Sequence, residues 1–278
     1  MSAFVALIAS LAWGIGDFLG GTLSRRVSAI AVAGFSQVTG IAVVLLTILI
    51  AQPEAPGWAS ISLGSISGVT ALLGAWFMYR AMTVGRLGVV APIVSSCAVV
   101  PVLWGVCAGE PITALQAVGI LSCLSGIVLV SLSPSPASAS TPRSFKPIWL
   151  AIASALTFGI GIVILAHGSF ESPVYSTLFS RFGSAVTATV IILCSRPSLR
   201  LGGRTFGVIA ALGCIDAIGY LGFTYATSSG QLALAAVLSG LYPAVTALLA
   251  FCFLKERLTW LQILGVAITL TGVVLISL

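Results

Sequence analysis

Ten apolar stretches of about twenty residues follow one another along this chain, parted by short polar breaks. A run of that length crosses the hydrocarbon core of a bilayer as a helix. Inside lipid only helices and closed barrels satisfy their own backbone groups. Barrel strands alternate in polarity, whereas these runs are continuous. The expected spans are 3–22, 29–51, 61–82, 88–108, 113–132, 147–167, 173–194, 205–226, 231–254 and 260–278. The fold class is thus an all-α polytopic membrane protein with ten transmembrane helices. Composition excludes the alternatives: 18 charged residues in 278 are too few for a soluble surface, and 59% hydrophobic residues are too many for a disordered chain.

The breaks carry turn and charge signals: Ser24-Arg25-Arg26, Pro53-Glu54-Ala55-Pro56-Gly57, Gly85-Arg86, Glu110-Pro111, Ser172-Pro173, Arg196-Pro197 and Lys255-Glu256-Arg257. The longest, Ser133–Lys146, is rich in Ser, Pro and Ala and reads as a linker. No basic residue precedes the first apolar run, which passes into Trp13-Gly14 without a cleavage site, so it reads as a span and not a signal peptide. All six cysteines fall inside spans without CxxC spacing, the pattern of small buried hydrophobes.

The fifth and tenth spans repeat one another. Glu110-Pro111-Ile112-Thr113-Ala114-Leu115-Gln116 aligns with Glu256-Arg257-Leu258-Thr259-Trp260-Leu261-Gln262, and the match runs without a gap through Gly119/Gly265 and Gly126/Gly272. Ile8-Ala9-Ser10 parallels Ile152-Ala153-Ser154, Trp13-Gly14 parallels Phe158-Gly159, and Phe35-Ser36-Gln37 parallels Phe179-Ser180-Arg181. The expected organisation is a first five-helix repeat over 1–132, a linker over 133–146 and a second repeat over 147–278. Five is odd, so the second repeat enters the membrane in the opposite sense. Inverted repeats favour transport, because two near-equivalent halves supply two near-equivalent conformations.

On these residues the chain resembles the EamA-type, ten-helix branch of the drug/metabolite transporter superfamily. The features that carry the likeness are Trp13-Gly14, the Pro-containing fourth and ninth spans, the Glu-x-x-Thr-x-x-Gln boundaries, and Phe253-Leu254-Lys255-Glu256-Arg257-Leu258-Thr259. The resemblance implies a central cavity ringed by helices 1, 3, 4, 6, 8 and 9, with 5 and 10 peripheral and helices 2 and 7 gating. It also implies a small organic substrate (amino acids, drugs, sugars or other metabolites), export more than uptake, and a monomer or homodimer. The first span departs from it, since Asp17 stands where many relatives carry neutral residues.

Intramembrane charges are costly and mark functional candidates by default. Asp17, Arg181 and Asp216 lie well inside spans. Asp17 and Asp216 are candidates for binding a substrate amine or carrying a coupling proton, and a structural ion pair with Arg181 is the alternative for either. Arg181, at the repeat position of Gln37, and His167, at the end of the sixth span near Glu171, are candidate gating or relay groups. Trp13, Trp76, Tyr79, Phe158, Tyr220 and Tyr242 are candidates for an aromatic box around an organic substrate, against ordinary packing. Pro92, Pro101 and Pro243 remove backbone hydrogen bonds within spans and suit a bending gate.

No P-loop, HExxH or GxSxG occurs. No cofactor, metal or nucleic-acid partner is expected; membrane lipid and a coupling proton are the candidate partners besides the substrate. An uptake permease and an intramembrane enzyme built on Asp17, Asp216 and His167 are the competing readings.

Orientation follows from the basic residues. Arg25, Arg26, Arg80, Arg86, Arg143, Lys146, Arg196, Arg200, Arg204, Lys255 and Arg257 all fall on the side opposite the termini. The positive-inside rule places that side in the cytoplasm of the cell (inner) membrane and both termini outside. Many relatives are drawn the other way round, but the charge bias belongs to this chain. A fluorescent protein fused to the C-terminus is expected to stay dark outside the cytoplasm; a bright cytoplasmic fusion would refute the assignment.

Overall fold

The computed structural model describes residues 2–107, 109, 113–132, 145–169, 171–197, 201–228, 242–255 and 258–276. Among them the regular structure is helical throughout. The first half comprises α1 (Ser2–Ser24), α2 (Ala29–Ala51), α3 (Trp58–Val84), α4 (Leu87–Ser95), α5 (Val99–Cys107) and α6 (Ala114–Leu132). The second comprises α7 (Lys146–Ser169), α8 (Pro173–Ser195), α9 (Gly203–Ser228), α10 (Tyr242–Leu254) and α11 (Trp260–Ile276). Five of these, α2, α3, α7, α8 and the Gly203–Phe223 part of α9, are each long and apolar enough to cross a membrane. The linker over 133–144, the Glu110-Pro111 and Glu256-Arg257 breaks and the start of the ninth span lie outside the described residues.

One expected span is broken. Leu87–Cys107, at the place of the expected fourth span, forms α4, a 3-10 turn at Ser96–Ala98, and α5. Pro92 sits inside α4 and Pro101 near the start of α5, so the turn lies between two residues that cannot donate to the preceding helical turn.

The Thr-x-x-Gln pattern at the end of each half proves to be a capping box. In the first half the Thr113 N–H donates to Gln116 Oε1 at 3.0 Å, and the Gln116 N–H to Thr113 Oγ1 at 3.1 Å. In the second, Thr259 and Gln262 make the same reciprocal pair at 3.0 and 3.3 Å. Arg86 Nη1 then donates to Gln262 Oε1 at 3.3 Å, tying the start of α4 to the start of α11.

Helix pairing obeys a twofold exchange of the halves. α3 packs on α7 and α1 on α9, while α2 packs on α8 and α6 on α11. Detailed contacts repeat too. A β-carbon on Gly14 would lie 2.8 Å from the Tyr242 carbonyl oxygen, and one on Gly159 would lie 2.7 Å from that of Cys97. The inversion is visible where α6 crosses α11. Gly119 faces Gly272, and Gly126 faces Gly265. Repeat-equivalent helices thus run antiparallel, which is the inverted two-repeat architecture expected from the odd helix count.

That crossing has backbone against backbone. A β-carbon on Gly126 would sit 2.6 Å from the Gly265 carbonyl oxygen, closer than the helices permit. Gly126→Ala is therefore expected to destabilise the detergent-solubilised protein by about 1–3 kcal/mol. Gly207→Ala, on an open face of α9 with nothing within 4 Å, should leave the melting curve in place. Equal effects of the two would refute the close crossing.

Candidate functional site

Side-chain spacing brings the central groups together. Trp13 and Asp17 are one turn apart on α1, and Asp216, Tyr220 and Phe223 follow at helical spacing on α9. Because α1 packs along α9, these rows face each other. Trp13 meets Tyr220 with ring centroids 5.5 Å apart, Phe223 at 5.6 Å and Tyr242 of α10 at 6.0 Å. Tyr79 of α3 closes another side, its ring filling the space where Gly20 of α1 lacks a side chain.

Arg181 of α8 also reaches this cluster. It is 2% exposed. Its Nη1 donates to Asp216 Oδ2 at 2.5 Å and to Gln37 Oε1 of α2 at 2.6 Å. Its guanidinium carbon lies 4.7 Å from the centre of the Tyr220 ring, a cation–π contact. Gln37 and Arg181 are repeat-equivalent residues on helices that pair with each other, so the bond between them spans the pseudo-twofold relation of the halves.

Three polar atoms at this place have no hydrogen-bond partner among the described residues: Asp17 Oδ2, Arg181 Nη2 and Trp13 Nε1. Buried polar atoms are almost always satisfied. One acceptor and two donors are thus left open in a buried aromatic setting.

The other candidates fall elsewhere. Phe158 occupies the position related to Trp13 but packs on Gly74 of α3. Trp76 stacks on Phe77 with centroids 5.7 Å apart and lines a separate cavity. His167 is exposed near the end of α7, where its Nδ1 lies 2.8 Å from the Val163 carbonyl oxygen and its ring meets Trp104 edge-on. Nearby, the Glu171 carboxylate accepts from the Ser60 N–H at 3.2 Å, capping the start of α3. Pro92 is buried and Pro101 partly so; Pro243 lies in the first described turn of α10, with its side chain outside the described residues. Among the described residues no group of three or more His, Cys, Asp or Glu is arranged to hold a metal.

Sequence reasoning missed Gln37 and Phe223 as members of the cluster. Gln37 carried a usable signal, since a residue and its repeat equivalent on self-paired helices lie close to the twofold relation. Here the second and seventh spans supply Gln37 and Arg181 to the cluster.

Inverted five-helix halves with a polar cluster buried between them define a multi-pass membrane protein of the transporter kind. The model of the EamA-like transporter family matches residues 1–132 and 145–278, and the chain belongs to that family. An uncharacterised protein of Methanocaldococcus jannaschii is 26% identical over 132 residues, 47% of this chain and 95% of that protein. That relative is therefore about as long as one half. A solved protein crystal structure superposes with a TM-score of 0.69 at 16% identity, covering 99% of this chain and 95% of that one, and shares the fold.

Removing Arg181 strands the Asp216 carboxylate in a low-dielectric site. Arg181→Gln is expected to destabilise the folded protein by about 3 kcal/mol, as breaking a buried pair does. Adding Asp216→Asn to the same chain should restore most of the loss. Thermal melting of the purified variants checks this, and a double variant no better than the single would overturn the pairing.

Proposed function

We propose that the protein is a secondary transporter that exports small organic metabolites across the inner membrane by alternating access. Its two working units are 1–132 and 147–278, joined by the 133–146 linker. The observation that carries the reading is the unpartnered Asp17 carboxylate oxygen beside the Arg181–Asp216 pair. Asp216 has a cation to neutralise it and Asp17 has none among the described residues, so Asp17 is the acid that takes up a proton or a substrate amine. The two compete for one site, which is the minimum requirement for exchange of substrate against protons.

The rest of the cluster fits an organic guest. Arg181 Nη2 and Trp13 Nε1 offer open donors to its polar groups. Trp13, Tyr220, Phe223 and Tyr242 offer ring faces and edges to its apolar part. The broken fourth span, with Pro92 and Pro101 on either side of its 3-10 turn, supplies a bending point, and Pro243 stands in the related ninth span. His167 lies away from the cluster, at a helix end suited to a gate.

The test is flux in proteoliposomes over a panel of amino acids, amines and other metabolites, with and without a pH gradient. Wild-type protein is expected to move at least one compound faster when the gradient drives protons against it. Asp17→Asn should abolish that acceleration and slow flux by roughly a hundredfold or more, in keeping with the loss of an essential charge-assisted contact. Unchanged flux and unchanged pH dependence in Asp17→Asn would refute the role of Asp17.

A further inference from the structure

A second polar site lies at the basic end of the bundle. A cavity of about 410 Å³ opens between the α1–α2 turn, the last turns of α3, the start of α7 and the end of α8. It includes none of the cluster residues Trp13, Asp17, Arg181, Asp216 or Tyr220. Arg80 and Lys146 bring two positive charges to its wall, no acidic residue lines it, and apolar side chains, Trp76 among them, fill much of the remainder.

Several donors there are unused. Ser28 stands at the N-cap of α2, yet its hydroxyl makes no capping bond. The first N–H groups of a helix have no partner within it and carry its positive dipole end. Here Ser28 and the first two residues of α2 form part of the cavity wall. Ser24, also in the wall, is 5% exposed, and its Oγ has no hydrogen-bond partner among the described residues. Thr83, also in the wall, donates its hydroxyl to the Arg80 carbonyl at 2.7 Å.

Two cations, an uncapped helix start and spare hydroxyls surrounding one space make up the donor set that recognises a tetrahedral oxyanion. We propose that this cavity binds a phosphate-bearing anion, with the phosphate held by Arg80, Lys146 and the N-terminus of α2 with Ser28. The apolar part of the wall accommodates the rest of the molecule. Two sources share this chemistry, a phospholipid headgroup from the adjoining leaflet and a soluble phosphorylated compound.

Binding is measured on the purified full chain in uncharged detergent. One arm titrates inorganic phosphate and follows thermal stability. The other adds phosphatidylglycerol or phosphatidylcholine and counts retained lipid by native mass spectrometry. Arg80→Gln is expected to weaken binding by about tenfold, the usual effect of losing one charge-assisted hydrogen bond. Lys146→Gln is the second variant, and Arg204→Gln, which removes a charge outside the cavity wall, should leave binding unchanged. Arg80-sensitive binding of inorganic phosphate assigns a soluble phosphoanion. Arg80-sensitive retention of phosphatidylglycerol alone assigns a headgroup. Binding of neither probe, or equal weakening by Arg80→Gln and Arg204→Gln, overturns the site.

Discussion

A guanidinium cannot be left unpaired within a membrane-spanning bundle, and Arg181 meets this demand by drawing three helices together. Its Nη1 is shared by Asp216 of α9 and Gln37 of α2, and its face lies on Tyr220. Those contacts join the two halves of the chain at their centre. They also set the electrostatics of what surrounds them, because one cation stands among two carboxylates. The pair with Asp216 uses that cation, and Asp17 is left without one among the described residues, which is why the proposed exchange is assigned to it.

Around this centre the backbone is nearly symmetric and the chemistry is not. Gly14 and Gly159 approach corresponding carbonyls, and α6 and α11 cross through matched glycines. The proposed alternating access would use two arrangements of such a scaffold, related by exchange of the halves. Asp17 and Asp216, by contrast, stand on α1 and α9 without acidic counterparts on α7 and α3. In the proposed transport cycle, symmetry serves the motion and asymmetry serves recognition.

Much of this was legible in the residues. Apolar run lengths gave the helices, and the odd repeat gave the inversion that Gly119–Gly272 contacts display. Asp17, Arg181 and Asp216 stood out because charge is so expensive in lipid that few are present. What stayed hidden was partnership. Arg181 and Gln37 are 144 residues apart, and only the pairing of α2 with α8 makes them neighbours. Trp76 and Tyr79 are three residues apart on α3, a separation that does not say which ring turns to Gly20 and which to the outer cavity. The 3-10 turn was likewise beyond reach, since two prolines permit a bend without fixing where it falls.

The central claim is that a substrate and a proton compete for Asp17. Its most direct test is proton release in weakly buffered detergent solution when a transported compound is added to the purified protein. Wild-type protein is expected to release protons in step with binding, and Asp17→Asn to bind without releasing any. Equal proton release from both, or binding by wild-type protein with none, would contradict the account.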